Sequence, residues 1–198
     1  MVEVEVRPAV VDDYAALFEI DQLGTWPSLP PEHSFDVDCH EYLVAVVDGQ
    51  VWGFLQGHHD STAWAACLVS PTPAETWTCS TVSYFTVHPD ARAHGLGSAL
   101  LREFMARARA AGSQWMTLHP AECGTGRGLS PALAGLCARA GLRWVEPLAV
   151  HRRHSPTLMA APLTDAPTHH FRAASHAPQT QTRRRSTRTR RQPAYAAA

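Results

Sequence analysis

The chain has 198 residues, 45% of them hydrophobic, enough for one ordinary core and too few for two full domains to be expected. Its formal net charge of −1 hides a division: residues 1–160 carry 10 Arg against 17 carboxylates, a net −7, whereas residues 161–198 carry 7 Arg against Asp165 alone, a net +6. Five scattered cysteines without a CxxC argue against a disulfide framework or a zinc site, and no apolar run reaches the roughly 18 residues of a membrane span, so a reduced, cytoplasmic protein without membrane contact is expected.

VEVEVRPA (2–9) alternates apolar and charged residues, the period of a strand with one wet face. VVDDYAALFEIDQL (10–23) spaces Tyr14, Leu17, Phe18 and Ile20 as a helix would, and Gly24 stops it. A Pro-rich loop follows, then a short helix around Phe35 to His40. EYLVAVVDGQVWGFLQGHH (41–59) reads as a hairpin, because Asp48-Gly49 supplies the positive φ angles of a tight turn between two apolar runs. Residues 60–76 read as a loop or flap and WTCSTVSYFTV (77–87) as a strand. GLGSALLREFMARARAAG (95–112) places Leu96, Ala99, Leu100, Phe104, Ala108 and Ala111 on one stripe of an amphipathic helix. SQWMTLHP (113–120) is a strand candidate. Ser130-Pro131 pairs an N-cap with Pro at the first helical position, opening a helix to Ala140 that Gly141 closes. LRWVEPLAVHRR (142–153) offers two short strands broken near Pro147. From 161 the composition turns to Thr, Ala, Pro, His and Arg, so the fold is expected to occupy 1–160 and a disordered tail 161–198.

HPDARAHGLGSALL (88–101) carries the chemistry. A helix N-terminus leaves its first N–H groups without intrahelical partners and its dipole attracts anions. Gly95 and Gly97 keep side chains away from that backbone, and Arg92 adds charge at the rim, so the loop reads as a phosphate cradle. The bland alternative is a strand-to-helix turn that binds nothing.

VHPDARAHGLG resembles the V-x-P-x-x-R-x-x-G-x-G signature of the GCN5-related N-acetyltransferases, with Val87, Pro89, Arg92, Gly95 and Gly97 in register. SPALAGLCARAGL (130–142) is similar to the family's N-P-x-A-x-x-x-Y-x-x-x-G-F, matching at Pro131 and Gly141, and the order of elements over residues 2 to about 152 is the family's order. The resemblance implies an α/β fold whose mixed central sheet splays and is flanked by helices, with acetyl-CoA as cosubstrate. It implies further that the pyrophosphate sits on Arg92, Ala93, His94, Gly95, Leu96, Gly97 and Ser98, and that the pantetheine arm pairs with the backbone of Phe85, Thr86 and Val87. A backbone N–H at Val87 or a neighbour would be the oxyanion donor.

The sequence departs from the family where side-chain chemistry is concerned. Cys137 stands at the position of the usual acid, a Tyr; its thiol is either that acid or a small core residue. Ser130 replaces a frequent Asn, and capping explains it, with a coenzyme contact as the alternative. Thr81 occupies the position of a Glu base found in some relatives, leaving Glu41, Glu75, His119 and Glu122 as substitutes or as surface groups. His88 and His94 are expected to have no catalytic role. His58-His59-Asp60 lacks a third ligand, and no metal is expected. The acceptor implied is a primary amine of a small molecule or a protein; the alternative is a degenerate member that binds acyl-CoA as a sensor or partner module. The Arg-rich tail, RRRSTRTRRQ, could hold nucleic acid by charge or be a solvated extension, and a homodimer stays open.

Overall fold

The computed structural model describes residues 3–24, 29, 35, 41–59, 78–118, 130–145 and 158–164. Seven strands form one mixed sheet: β1 (Glu5–Pro8), β2 (Glu41–Val47), β3 (Gln50–His58), β4 (Cys79–Val87), β5 (Trp115–Leu118), β6 (Arg143–Val145) and β7 (Leu158–Pro162). Their spatial order is β1-β2-β3-β4-β5-β7-β6. All pairings are antiparallel except β4 with β5, which is parallel and is bridged by a helical crossover. Among the described residues the α-helices are α1 (Tyr14–Gln22), α2 (Leu96–Ala110) and α3 (Pro131–Arg139).

The sheet is covered on both faces, which is why β2 reads EYLVAVV, an almost unbroken apolar run. Tyr42, Val44 and Val46 pack with Leu17, Ile20 and Phe54 on the α1 face. Leu43 and Ala45 pack with Leu100, Phe104 and Ala108 of α2 on the other. Asp48 and Gly49 have φ of 50° and 77°, so the β2–β3 turn is the left-handed one expected of this dipeptide. Ser130 caps α3 by accepting the Leu133 N–H, and Pro131 opens the helix, as read.

Three expectations need correction. On α1, Phe18 is 44% exposed and stacks on Tyr14, while Asp21 is fully buried: a carboxylate takes a core position that periodicity assigned to apolar residues. On α2 the buried stripe is Leu96, Leu100, Leu101, Phe104, Met105 and Ala108, with Ala111 exposed beyond the helix end. At the C-terminus, the strand inserted between β5 and β6 is residues 158–162, and Leu163 is buried in the core. The fold therefore runs past the expected boundary at 160. The second strand expected after Pro147, the helix around 36–40, the 60–76 loop and the Arg-rich tail lie outside the described residues. No helix among the described residues is long and apolar enough to cross a membrane.

Candidate functional site

Strand β4 changes partners along its length. From Cys79 to Val82 it pairs with β5 on one side, ending at Val82↔Leu118, and on the other side it pairs with β3 as far as Val87↔Gly53. The β3–β4 register shifts by one residue between Gln56↔Tyr84 and Gly57↔Val82, so Ser83 is an extra, bulged residue where β4 leaves β5. Among the described residues, the stretch 83–87 thus has a strand on one edge only.

Hydrogen-bond alternation determines which groups face that open edge. The His88 N–H donates to the Trp52 carbonyl at 2.8 Å, which makes 52/88 a hydrogen-bonded pair and, two residues back, 54/86 another. The peptide groups of Thr86 therefore point to β3, while those of Phe85 and Val87 point to the open edge. Consistently, the Val87 carbonyl accepts the Arg92 Nε–H at 3.2 Å from the side away from β3. Of the three strand residues expected to meet a pantetheine arm, Phe85 and Val87 turn main-chain groups to the open edge, the Val87 carbonyl already holding Arg92.

At its C-terminal end β4 enters the corner. A 3-10 turn, Pro89–Ala91, is capped by His88, whose Nδ1 accepts the Asp90 N–H at 3.3 Å and whose ring stands edge-on to Trp52. His88 is thereby occupied in holding the turn. Arg92, Ala93, His94 and Gly95 are exposed. Ala93 and Gly95 both lie in the left-handed region, with φ of 67° and 87°. These two left-handed residues, with His94 between them, turn the chain from the end of the 3-10 turn into α2. Gly95 is the N-cap of α2 and receives no side-chain cap. The first i to i−4 bond of the helix runs from Ala99 N–H to Gly95 O at 3.0 Å, so the amides of Leu96, Gly97 and Ser98 precede the ladder.

The two glycines of the motif serve different ends. A Cβ on Gly95 would meet nothing within 4 Å, so what Gly supplies there is the left-handed φ and an open approach. A Cβ on Gly97 would lie 3.0 Å from Phe85 Cζ and 3.4 Å from Leu136 Cδ2. Gly97 therefore also lets α2 sit close against β4 and α3, a packing demand beside the open backbone that the sequence suggested.

Side chains expected to do chemistry are placed less openly. Cys137 is fully buried in the main core beside the α2 stripe, which favours its packing reading. Thr81 is 6% exposed and its hydroxyl bonds to that of Thr117 at 2.8 Å across β4 and β5, just below the divergence. Nearby, burial pushes the Cys79 thiol up to about 11, so it stays protonated. Glu41, a base candidate, has both oxygens engaged: Oε1 with Arg107 at 3.1 Å and Oε2 with His59 Nε2. The His59 ring stacks on Phe104, and its Nδ1 meets Ser80 Oγ at 2.8 Å. Arg107 is eleven residues along α2 from Leu96, about 16 Å from the corner at the rise of a helix. Glu75, His119 and Glu122 lie outside the described residues. Sequence reading missed the His59–Glu41–Arg107 network and a pairing of Tyr84 with Asp21, because both join residues distant in the chain; only a carboxylate in the α1 stripe signalled the second.

Comparison with known proteins follows the same lines. Structures similar to this one include the ribosomal-protein-S18-alanine N-acetyltransferase of Escherichia coli, at 16% identity over 84% of this chain and 98% of that one, with a TM-score of 0.59. Ard1 of Thermoplasma volcanium matches at 17% identity over 83% and 100%, TM-score 0.57. A phosphinothricin acetyltransferase of Sinorhizobium meliloti, solved in complex with AcCoA, matches at 19% over 89% and 97%, TM-score 0.57. At these identities the likeness establishes the fold. A search of curated proteins found no match. The acetyltransferase (GNAT) family model matches residues 8–126, more than half of the chain and all of the corner, and the chain belongs to that family.

Proposed function

We propose that the chain is an N-acetyltransferase, moving the acetyl group of acetyl-CoA to a primary amine of a small molecule or a protein by direct attack. The observation that carries this reading is the continuity of an open β4 edge with an uncapped helix N-terminus. An extended thioester arm fits the first and a diphosphate the second. Arg92 to Ser98 would hold the diphosphate, with Arg92 as the side-chain cation, and Phe85 and Val87 would pair with the arm. Ser130 is occupied as the α3 cap and has no assigned contact with the coenzyme.

In such a transfer the amine nitrogen bonds to the thioester carbon, the carbon–sulfur bond breaks, the amine gives up a proton and the thiolate takes one. The Val87 N–H faces the open edge and would steady the tetrahedral oxyanion without reorganising. Thr81 cannot serve as a base, and Cys137 lies in the core. Proton transfer in this reading falls to water and to groups outside the described residues.

A second reading, a member that binds acyl-CoA without turnover, starts from those same two positions. Calorimetric titration with acetyl-CoA, paired with a thiol-release assay on a panel of peptide N-termini, lysine peptides, polyamines and arylalkylamines, separates them. Binding with turnover of any amine supports the transferase; binding with none supports the sensor; no binding removes both.

A further inference from the structure

The outer face of α1 is uncovered among the described residues, and apolar and acidic side chains share it. Every exposed large hydrophobic of the described residues lies between positions 10 and 23: Val10, Val11, Phe18 and Leu23, from 44% to 61% exposed. Val11, Ala15, Phe18 and Gln22 follow at helical spacing through the 3-10 turn Val11–Asp13 and α1, with Asp12 and Glu19 beside them, and all six are exposed. Scattered singly, such hydrophobics need no explanation; gathered on one helix face and rimmed by charge, they mark a contact surface.

Charge is divided over the fold along the same line. Residues 3–24 carry six carboxylates against Arg7 alone, a net −5, whereas the described residues from 78 to 145 carry six Arg against Asp90 and Glu103, a net +4. Two of the six carboxylates are engaged inside the molecule, Asp13 with Arg7 and Asp21 with the Leu29 N–H and the Tyr84 hydroxyl. Glu3, Glu5, Asp12 and Glu19 are exposed, and among the described residues no cation lies within ion-pair range of Asp12 or Glu19. The occupant that suits this surface is cationic and carries apolar or planar groups.

One such segment belongs to the chain itself. Residues 183–191 hold six Arg and no carboxylate, and AYAAA follows at 194–198. A guanidinium matches the surface in two ways, pairing with a carboxylate through its planar fork and stacking on an exposed ring such as that of Phe18. Reach is sufficient. Between Thr164, the last described residue after β7, and Arg183 lie residues 165–182, which can span about 60 Å when extended. From β7 to β1 there are five strand steps, about 24 Å at the usual spacing. A tether that exceeds its span in this way gives a local concentration of order mM, so contacts too weak to hold a free peptide suffice.

We propose that the outer α1 face, centred on Val11, Asp12, Phe18 and Glu19, is the docking surface for the chain's own Arg-rich segment, residues 183–191. The clasp is intramolecular and salt-sensitive, and it stands whether or not acetyl-CoA is turned over.

Amide NMR of the full chain tests it, comparing wild type with a variant in which the six Arg of 183–191 are replaced by Gln. The replacement should shift the amides of residues 11–23 and leave those of β5 unchanged. Raising NaCl from about 0.05 to about 0.5 M should produce the same shifts in wild type and none in the variant, because exposed charge pairs are screened. Asp12→Asn with Glu19→Gln, and separately Phe18→Ala, should speed trypsin cleavage after the Arg of 183–191 about threefold or more at the lower salt, since cleavage follows the undocked population. Melting temperatures within a few degrees of wild type would show that the fold itself is intact. Absence of shifts at 11–23, or equal cleavage rates in wild type and both surface variants, would overturn the proposal. Shifts that fade on tenfold dilution would assign the surface to the Arg-rich segment of a second copy and overturn the intramolecular clasp. Shifts that arise only on adding a DNA duplex would assign these Arg to nucleic acid and overturn it as well.

Discussion

Replacing Gly95 by Asp and by Asn separates the anion corner from the fold that carries it. Gly95 is the N-cap of α2 with φ 87°, and a Cβ there reaches open space, so neither side chain meets a clash. Asn and Asp tolerate the left-handed region better than other residues, and the conformational loss relative to Gly is of order 0.5–1 kcal/mol for both. A carboxylate at a helix N-terminus recovers about 0.3–1 kcal/mol through the dipole. Unliganded Gly95→Asp should therefore be at least as stable as Gly95→Asn. For a bound diphosphate the order reverses: taking a separation of about 6 Å and an effective dielectric of about 20, each like-charge pair costs roughly 3 kcal/mol, near a hundredfold in affinity. Calorimetric titration with acetyl-CoA at about 0.1 M salt, beside thermal melts of the free proteins, reads both quantities. If Gly95→Asp binds within about threefold of Gly95→Asn, no anion rests on this N-terminus and the reasoning fails.

Further outcomes follow from other contacts. Arg92→Ala removes an exposed guanidinium and should weaken acetyl-CoA binding about tenfold while leaving the denaturant midpoint nearly unchanged; an unchanged Kd would exclude it from the rim. Gly57→Ala would drive a Cβ into the Phe104 ring and to 2.9 Å from the Thr81 carbonyl oxygen, displacing the ring that stacks on His59. Urea unfolding should show a loss of about 2–3 kcal/mol, and a loss below about 0.5 would mean that the ring moves freely. Asp13 accepts both Arg7 nitrogens, at 2.6 and 2.9 Å, and the Val10 N–H at 2.8 Å; chiefly through the Arg7 bond its carboxyl is held below its ordinary value. A lowered folded-state value stabilises fully above the unfolded pKa, near 3.9, and the contribution disappears as the pH falls through the folded-state value. Unfolding free energies of wild type and Asp13→Asn should thus differ by about 1–2 kcal/mol at neutral pH and converge towards pH 2; a difference independent of pH would contradict the assignment.

Local chemistry was legible in the sequence, and long-range pairing was not. Asp48-Gly49, Ser130-Pro131 and Gly95 each act within a few residues, through φ or a cap, and each stands in the structure where the sequence placed it. The reversal on α1 has a different origin. Asp21 is buried because Tyr84, some sixty residues on, and Leu29 supply its bonds, and Phe18 is left outside to stack on Tyr14. β7, LMAAP, lacks β-branched residues and ends in Pro, so propensity gave no reason to expect a strand; pairing with β5 and β6 on both edges makes it one. The packing demand on Gly97 was likewise hidden, since only the placement of Phe85 and Leu136 shows what its missing side chain would meet. The family signature marked the corner, but the open edge of β4 became visible only through the register of β3, β4 and β5.

The most direct measurement is backbone amide NMR of the full chain during titration with acetyl-CoA. Saturable shifts and slowed exchange should centre on the amides of Phe85, Val87 and Gly95 to Ser98, while Thr86, bonded to β3, changes little. Saturable binding that leaves those amides unperturbed would place the ligand elsewhere and contradict the account.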